Sequence, residues 1–419
     1  MFRPFSDILS FKALVHPRTS MNGINKERKK IMQKIHWGDL TPEQFLKDYW
    51  QKKPLLIKGA FKDFTDPIDA NELAGLAMES EIESRIIACN NNEWQVEHGP
   101  FKSFDKFGEE NWTLLVQAVN NWSRDTQSLL AAVDFLPQWR IDDVMVSFST
   151  PNGGVGAHLD QYDVFIVQGE GKRRWQVGTP DSSLQLLLPH PDLKQVSTFA
   201  PVIDEVTEAG DLLYIPPNHP HKGVSIENSM NFSIGFQAPN NQELWSAFAD
   251  KLIDENLGEA RFPDKARSLT HRPEQLEQTD IEKLKVFMQA QLDDDNLFIP
   301  FIGKYLTQNH HALEILMPVS PIYSEQLSDI LAEAENTLVP VSGIKSLIIP
   351  IHQGDESIER SYLYINGESF LIDKETIALA TCLTKQQTLT TEKVKSLIIN
   401  LKNEKLLTNV LNMGLWYVE

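Results

Sequence analysis

The chain has 419 residues, 41% of them hydrophobic and 9% aromatic; that is too long for one compact core and too apolar for a disordered chain, so two or three packed domains are expected. No apolar run approaches the roughly 18 residues of a membrane span, and two distant cysteines, Cys89 and Cys382, exclude a disulfide framework or a cysteine zinc cluster and fit a soluble protein of the reducing cytoplasm. The net charge of -19 argues against broad nucleic-acid binding, which needs a basic surface, and suits a basic partner.

Residues 1–34 carry eight Lys or Arg against Asp7 and Glu27. A transit peptide has this composition, but the simpler reading is a disordered or spurious extension, with Met32 as an alternative start. Thr41-Pro42-Glu43-Gln44 combines an N-cap, a proline at the first helical position and a glutamine three residues after the cap. The helix it predicts carries Phe45, Leu46, Tyr49 and Trp50 on one stripe and stops at Pro54. A strand is expected at Leu55–Ile57, a helix over Asn71–Met78, strands over Arg85–Cys89 and Trp94–Glu97, and a third helix over Asn111–Trp122 with Leu114, Leu115, Ala118 and Val119 inward. Ile141–Thr150 alternates: Val144, Val146 and Phe148 suit an apolar layer, while Met145, Ser147 and Ser149 can line a polar cavity.

The stretch Gly153–Trp175 reads GGVGAHLDQYDVFIVQGEGKRRW. Its glycine-rich entry leads to His158 and Asp160, and the apolar run Val164–Val167 follows. On a strand, residues two apart point the same way, which would place an imidazole beside a carboxylate. Gly169-Glu170-Gly171 reads as a hairpin-type turn. In the strand after it, Arg173 shares a face with Trp175 and Val177, whereas Lys172 and Arg174 share the other with Gln176, so Arg173 is the buried cation of the three. Downstream, GDLLYIPPNHPH (Gly210–His221) opens on a Gly-Asp turn and ends in His219 and His221. His158, Asp160 and one of these histidines make a two-histidine, one-carboxylate set that leaves coordination positions open on iron(II), which means chemistry at the metal. Further strands at Leu212–Ile215 and Asn231–Gln237, broken by Gly and Pro turns, predict a small barrel or jelly roll.

From Asn241 to about Pro318 the pattern is helical, with stripes such as Leu244, Phe248, Leu252 and Ile253, and Leu284, Phe287 and Met288, read as core or subunit contacts. Beyond it, a helix through Leu327–Ala334, strands around Ile344–Ile351 and Tyr362–Ile372 with an Asn366-Gly367 turn, and two more helices before Leu415-Trp416-Tyr417 suggest another small domain. From Ser320 onward there are 8 Lys or Arg against 13 Asp or Glu, a net of -5. A DNA-reading domain should have the opposite sign.

His-x-Asp followed by Ile-Pro and a later histidine resembles the JmjC-type, cupin-fold 2-oxoglutarate oxygenases. HLDQYDVFIVQG, GDLLYIPP and MNFSIGF bring the resemblance closer, to the bacterial ribosomal oxygenases, which hydroxylate an arginine of a large-subunit ribosomal protein (ribosomal protein L-sixteen). It covers the chain from about Lys34 onward. It implies an α+β protein: a double-stranded β-helix (cupin/JmjC jelly roll) over 35–240, a helical dimerisation region over 241–318 and a winged-helix-like domain over 319–419. It selects His221 as the third metal ligand, with His219 packing beside the site. Iron(II), 2-oxoglutarate and O2 are the implied cofactors, with Arg173 and Ser147 on the 2-oxoglutarate carboxylate. A buried carboxylate does require a cation, and arginine offers a bidentate one. Asn231 and Tyr162 are within reach of the same cavity, though ordinary packing accounts for each. The implied reaction is arginine 3-hydroxylation coupled to conversion of 2-oxoglutarate to succinate and carbon dioxide, by a homodimer that binds no DNA. The alternatives are a ligand-sensing cupin joined to a winged-helix transcription regulator, a non-redox cupin isomerase or lyase, and a JmjC histidine hydroxylase or demethylase.

Overall fold

A computed structural model describes residues 34–419 apart from 266, 333–336 and 352–359. The expectation for residues 1–34 lies, Lys34 excepted, outside the described residues, as does Ala334 at the end of the helix expected from Leu327. The chain forms two compact units, one built on residues up to Ala238 with His311–Glu314, the other on Pro239–His310 and Ile315–Glu419.

The first unit begins with α1 (Pro42–Asp48), β1 (Leu55–Ile57) and α2 (Ala70–Leu76). Both helices start on a complete capping box, Thr41 with Gln44 and Asp69 with Glu72, which satisfies amide groups that helix termini otherwise leave unpaired. There follow β2 (Ser84–Asn90), β3 (Glu93–His98), β4 (Trp112–Val116), α3 (Arg124–Gln127), β5 (Val144–Ser149), β6 (Asp163–Gln168) and β7 (Arg173–Gly178). The hairpin β8 (Leu186–His190) and β9 (Leu193–Val196) leads to β10 (Pro201–Thr207), β11 (Leu212–Ile215), β12 (His221–Ser225) and β13 (Ser229–Phe236).

Eight strands form one antiparallel sheet in the order β1-β11-β6-β13-β5-β4-β2-β3, and three form a smaller one, β10-β7-β12. The small sheet covers part of the inner face of the large one, where Val164, Ile166, Leu213 and Ile215 pack against Trp175 and Val177. The outer face carries Phe148, Phe165, Tyr214, Phe232 and Phe236 and buries Phe45 of α1. Alternation along each strand thus produces two buried faces, the double-layer arrangement of a jelly roll.

Three expectations are corrected. Trp112–Val116 is a strand, not part of a helix from Asn111 to Trp122; every residue of it is buried, and a short apolar run buried on both sides has no period to separate strand from helix. A left-handed Ala118 (φ 48°) and a short 3-10 turn at Val119–Asn121 complete that stretch. The Gly169-Glu170-Gly171 turn does not close a hairpin: β6 pairs with β11 and β13, β7 with β10 and β12, so the turn carries the chain between sheets. Finally, the strand after the His-x-Asp pair starts only at Asp163.

The second unit holds α4 (Asn241–Asp254), α5 (Gln278–Gln289), α6 (Asp295–Thr307), α7 (Ser324–Ile330), and strands β14 (Thr337–Pro340), β15 (Ser346–Ile351), β16 (Arg360–Ile365) and β17 (Glu368–Asp373). After them come α8 (Ile377–Thr384), β18 (Leu389–Thr390), α9 (Thr391–Leu397), α10 (Leu401–Asn412) and β19 (Trp416–Val418), three helices where two were expected. The β16–β17 turn uses Asn366 and Gly367 with φ of 47° and 81°, the left-handed pair that a two-residue hairpin demands. Within the helical stretch Phe248 is buried against Phe298 and Phe301, whereas Ile253, Leu284 and Met288 are exposed. Among the described residues no helix is long and apolar enough to cross a membrane.

Candidate active site

His158 and His221 meet across an isolated antiparallel bridge: each backbone N–H donates to the other's carbonyl at 3.0 Å. That bridge extends the small sheet by one residue beyond β12 and brings the two imidazoles to a centroid distance of 4.1 Å. Asp160 lies in the bend that follows, outside any strand. Its backbone carbonyl accepts the N–H of Asn218 at 2.7 Å, tying it to the loop that leads into His221. The glycine-rich entry has a steric cause: a Cβ on Gly154 would stand 2.4 Å from the carbonyl of Gly223, so only a bare backbone can lie against β12 here.

One donor atom from each of His158, Asp160 and His221 lies within 4.8 Å of the others, and the Asp160 carboxylate is 3.5 Å from His221 Nε2 and 4.0 Å from His158 Nε2. Nδ1 of His158 is 3.1 Å from the Gly156 carbonyl, and Nδ1 of His221 is 2.9 Å from the His219 carbonyl. A carbonyl only accepts, so each Nδ1 carries the proton and each Nε2 offers a lone pair to the cluster. Burial, helped by the neighbouring His221, pushes the His158 pKa down to about 4. Burial works against the Asp160 carboxylate, but the hydrogen bond and charge of His221, with the charges of His158 and Arg85, outweigh it and hold Asp160 at about 2. Both groups are in the form a metal ion needs at neutral pH.

The cluster opens into a cavity of about 490 Å³. At one end Arg173 is only 5% exposed. Its Nη1 donates to Ser147 Oγ at 3.2 Å, and its Nη2 to Ser149 Oγ at 2.8 Å and Ser229 Oγ at 3.1 Å. Those hydroxyls are themselves held, Ser149 by Thr113 at 2.8 Å and Ser229 by Ser225 at 2.5 Å. No ion pair to Arg173 occurs among the described residues, and its Nε is buried without a partner. Burial pushes its pKa down to about 9, still above neutral pH, so a bare cation faces the cavity. Arg174, on the other face of β7, is spent on a surface pair with Asp204.

The cavity wall also carries acids, Glu83, Asp142, Asp143 and Asp192. Leu193 of β9 packs on Ile87 and Leu115, closing one side.

All five residues singled out in the sequence, His158, Asp160, His221, Arg173 and Ser147, face this one cavity. His219 is buried beside it, its Nδ1 on the Pro217 carbonyl. Tyr162 lines the cavity rather than serving only as packing, while Asn231 donates to Gln168 at 3.2 Å. Sequence reasoning missed Ser229, Arg85 and the β9 residues Leu193 and Gln195. Ser149 was legible from alternation alone, but Ser229 and Arg85 reach the site only through the register of the large sheet.

A jelly roll with an open two-histidine, one-carboxylate cluster defines a JmjC-type protein, and residues 128–244 match the JmjC domain model. Residues 290–417 match a ROXA-like winged helix. The chain is 42% identical to the ribosomal protein uL16 3-hydroxylase of Escherichia coli over 92% of its own length and 98% of that protein. It is 34% identical to a probable ribosomal oxygenase of Haemophilus influenzae over 62% and 66%. The X-ray structure of E. coli ycfD superposes with a TM-score of 0.83 at 40% identity, covering 93% of this chain and 100% of that one. The structure of the E. coli ribosomal oxygenase YcfD in complex with cobalt and 2-oxoglutarate gives 0.78 at 39%, covering 92% and 99%. The chain belongs to the JmjC-domain ribosomal oxygenase family. Its architecture is a JmjC cupin-type jelly roll, a helical region and a C-terminal winged helix.

Proposed function

We propose that the protein is an iron(II)- and 2-oxoglutarate-dependent dioxygenase that 3-hydroxylates an arginine of a large-subunit ribosomal protein, the counterpart of uL16. The observation that carries this reading is one cavity holding both an open two-histidine, one-carboxylate cluster and a buried arginine that no acid among the described residues answers. His158, Asp160 and His221 would hold the metal. Two imidazoles and one carboxylate suit iron(II), and three protein donors leave positions for small molecules. Arg173, steadied by Ser147, would take the far carboxylate of 2-oxoglutarate.

When bound, the iron and keto acid supply oxidation of a C–H bond by O2, coupled to loss of carbon dioxide from the keto acid and release of succinate. The chain's own part is geometric and electrostatic. The carbonyls of Gly156 and His219 fix the imidazole tautomers. Ser147, Ser149 and Ser229 aim the Arg173 guanidinium. Leu193, packed on Ile87 and Leu115, keeps water from one flank. Asp142, Asp143 and the Tyr162 phenol also line the cavity, and burial followed by the charge of Asp160 pushes that phenol's pKa up, so it stays a neutral donor. An acidic wall suits a cationic target side chain, and the net charge of -19 suits a basic protein around it.

The test is incubation of purified protein with iron(II), 2-oxoglutarate, O2 and the ribosomal protein, followed by peptide mass spectrometry. One added oxygen on an arginine is expected. Oxygen on histidine, loss of a methyl group, or no modification would each overturn the arginine assignment.

The acidic balance of residues 320–419 argues against DNA as a partner of the winged helix. Exposed Ile253, Val286 and Met288 on α4 and α5 fit a homodimer formed through the helical region, which light scattering of the intact chain would reveal. The two free cysteines, far apart in the chain, and iron(II) chemistry fit the cytoplasm.

A further inference from the structure

Arg173 is not the only cation in the cavity. Arg85 on β2 also lines it, in the same cross-strand row as Ser147: Arg85 pairs with Leu115 on β4, and Leu115 with Ser147 on β5. Side chains in one row of a sheet share a face, so Arg85 and Ser147 point into the cavity from positions about 10 Å apart, two strand spacings. The Arg85 side chain has no ion pair or hydrogen bond among the described residues, and its Nε is buried without a partner. Ser147 touches the Arg173 guanidinium, so Arg85, two strands further along that row, stands away from Arg173 in the cavity wall it shares with His158, Asp160 and Tyr162. Glu83, the acid nearest in sequence, is 3.9 Å from His311 instead.

A half-buried arginine without a counter-charge is costly unless a ligand supplies one. Glu83, Asp142, Asp143 and Asp192 line the same cavity, but none makes an ion pair with Arg85 among the described residues, and the charge of Asp160 would be taken up by a bound metal ion. The counter-charge must therefore arrive with a reactant. Of the two organic reactants in the proposed reaction, the target side chain is a cation and the keto acid a dianion. Only the keto acid can answer Arg85.

We propose that Arg85 is a second cosubstrate-binding residue, contacting the carboxylate at the metal end of 2-oxoglutarate while Arg173 holds the far end.

This inference rests on the proposed function, and its test separates the two. Anaerobic titration of the iron(II)-loaded protein with 2-oxoglutarate, followed by the visible charge-transfer absorbance of the complex, gives the dissociation constant without turnover. For Arg85→Gln that constant should rise about tenfold or more, the loss of one charge-assisted contact, with iron content, melting temperature and the KM for the ribosomal protein close to wild type. Arg85→Lys, which keeps the charge but loses the fork, should fall between the two. Wild type and Arg85→Gln binding the keto acid equally well would overturn the inference, as would equal losses in both variants, which point to packing. A rise confined to the KM for the protein substrate would overturn it too. A wild-type protein that bound no keto acid would instead overturn the proposed function.

Discussion

On the outer side of the large sheet, Asp163 is wholly buried, and on the inner side, ten residues later, Arg173 is nearly so. Asp163 is answered from every direction: Tyr214 donates its phenol at 2.6 Å, Gln51 its amide at 2.9 Å, and Arg140 stands at 3.6 Å. Those partners sit among Trp50, Phe165 and Phe236, so the network ties the segment after α1 to the aromatic core. Among the described residues Arg173 is met only by hydroxyls, which orient a guanidinium without neutralising it. A charge that serves the fold brings its counter-ion with it. A charge that serves binding leaves that place for a ligand.

The largest effect is expected at the cluster itself. Asp160→Ala removes the one anionic ligand, and metal analysis after dialysis should find iron lost and turnover at background. Retained iron at full stoichiometry would mean the cluster is not the metal site.

The contrast between the two buried charges predicts opposite signatures. Asp163→Ala leaves a phenol, an amide and Arg140 unanswered and should cost about 3–5 kcal/mol of stability without changing the affinity for 2-oxoglutarate. Arg173→Gln removes an unneutralised buried cation, so the melting temperature should hold or rise, while keto acid affinity falls roughly 10- to 100-fold. Thermal melts and keto acid titrations of both variants decide it; parallel behaviour would dissolve the distinction.

How much of this was legible differs between the same two faces. Arg173 and Ser147 could be read from strand alternation, because they sit on strands with a clear period of two, and His158 and Asp160 from motif spacing, although Asp160 stands outside any strand. His221 needed family resemblance to be separated from His219, since Pro220 breaks the alternation between them. The strand at Trp112–Val116 was read as a helix because both of its faces are buried and it carries no alternation. Arg85 and Ser229 were out of reach: their place at the site follows from which strands lie side by side, and pairing between distant strands leaves no trace in either segment alone.

Ser149 sharpens the comparison at smaller scale. If hydroxyls aim Arg173, Ser149→Ala should weaken keto acid binding by about threefold to tenfold, the worth of one hydrogen bond to a charged group, and leave kcat unchanged at saturation. A drop in kcat with unaltered affinity would assign Ser149 some other role.

The smallest effect belongs to the turn that carries the chain from β6 to β7 and so delivers Arg173. Asp66 receives the Glu170 N–H of that turn at 3.1 Å on both carboxylate oxygens. Burial raises its pKa from 3.8 to about 6; the Glu170 N–H opposes the rise, while the charges of Glu170 and Asp69 add to it. An acid whose folded pKa lies above its unfolded value binds more protons in the folded state between the two. Its contribution to stability is therefore full below about pH 4 and is lost as pH rises through about 6. Asp66→Asn keeps an acceptor for the turn but cannot ionise. The variant should match wild type near pH 4 and exceed it by about 1–2 kcal/mol above pH 7, allowing for partial solvent screening. Urea unfolding of both proteins across that range measures the difference directly. A difference that stayed flat with pH would show that Asp66 ionises without cost.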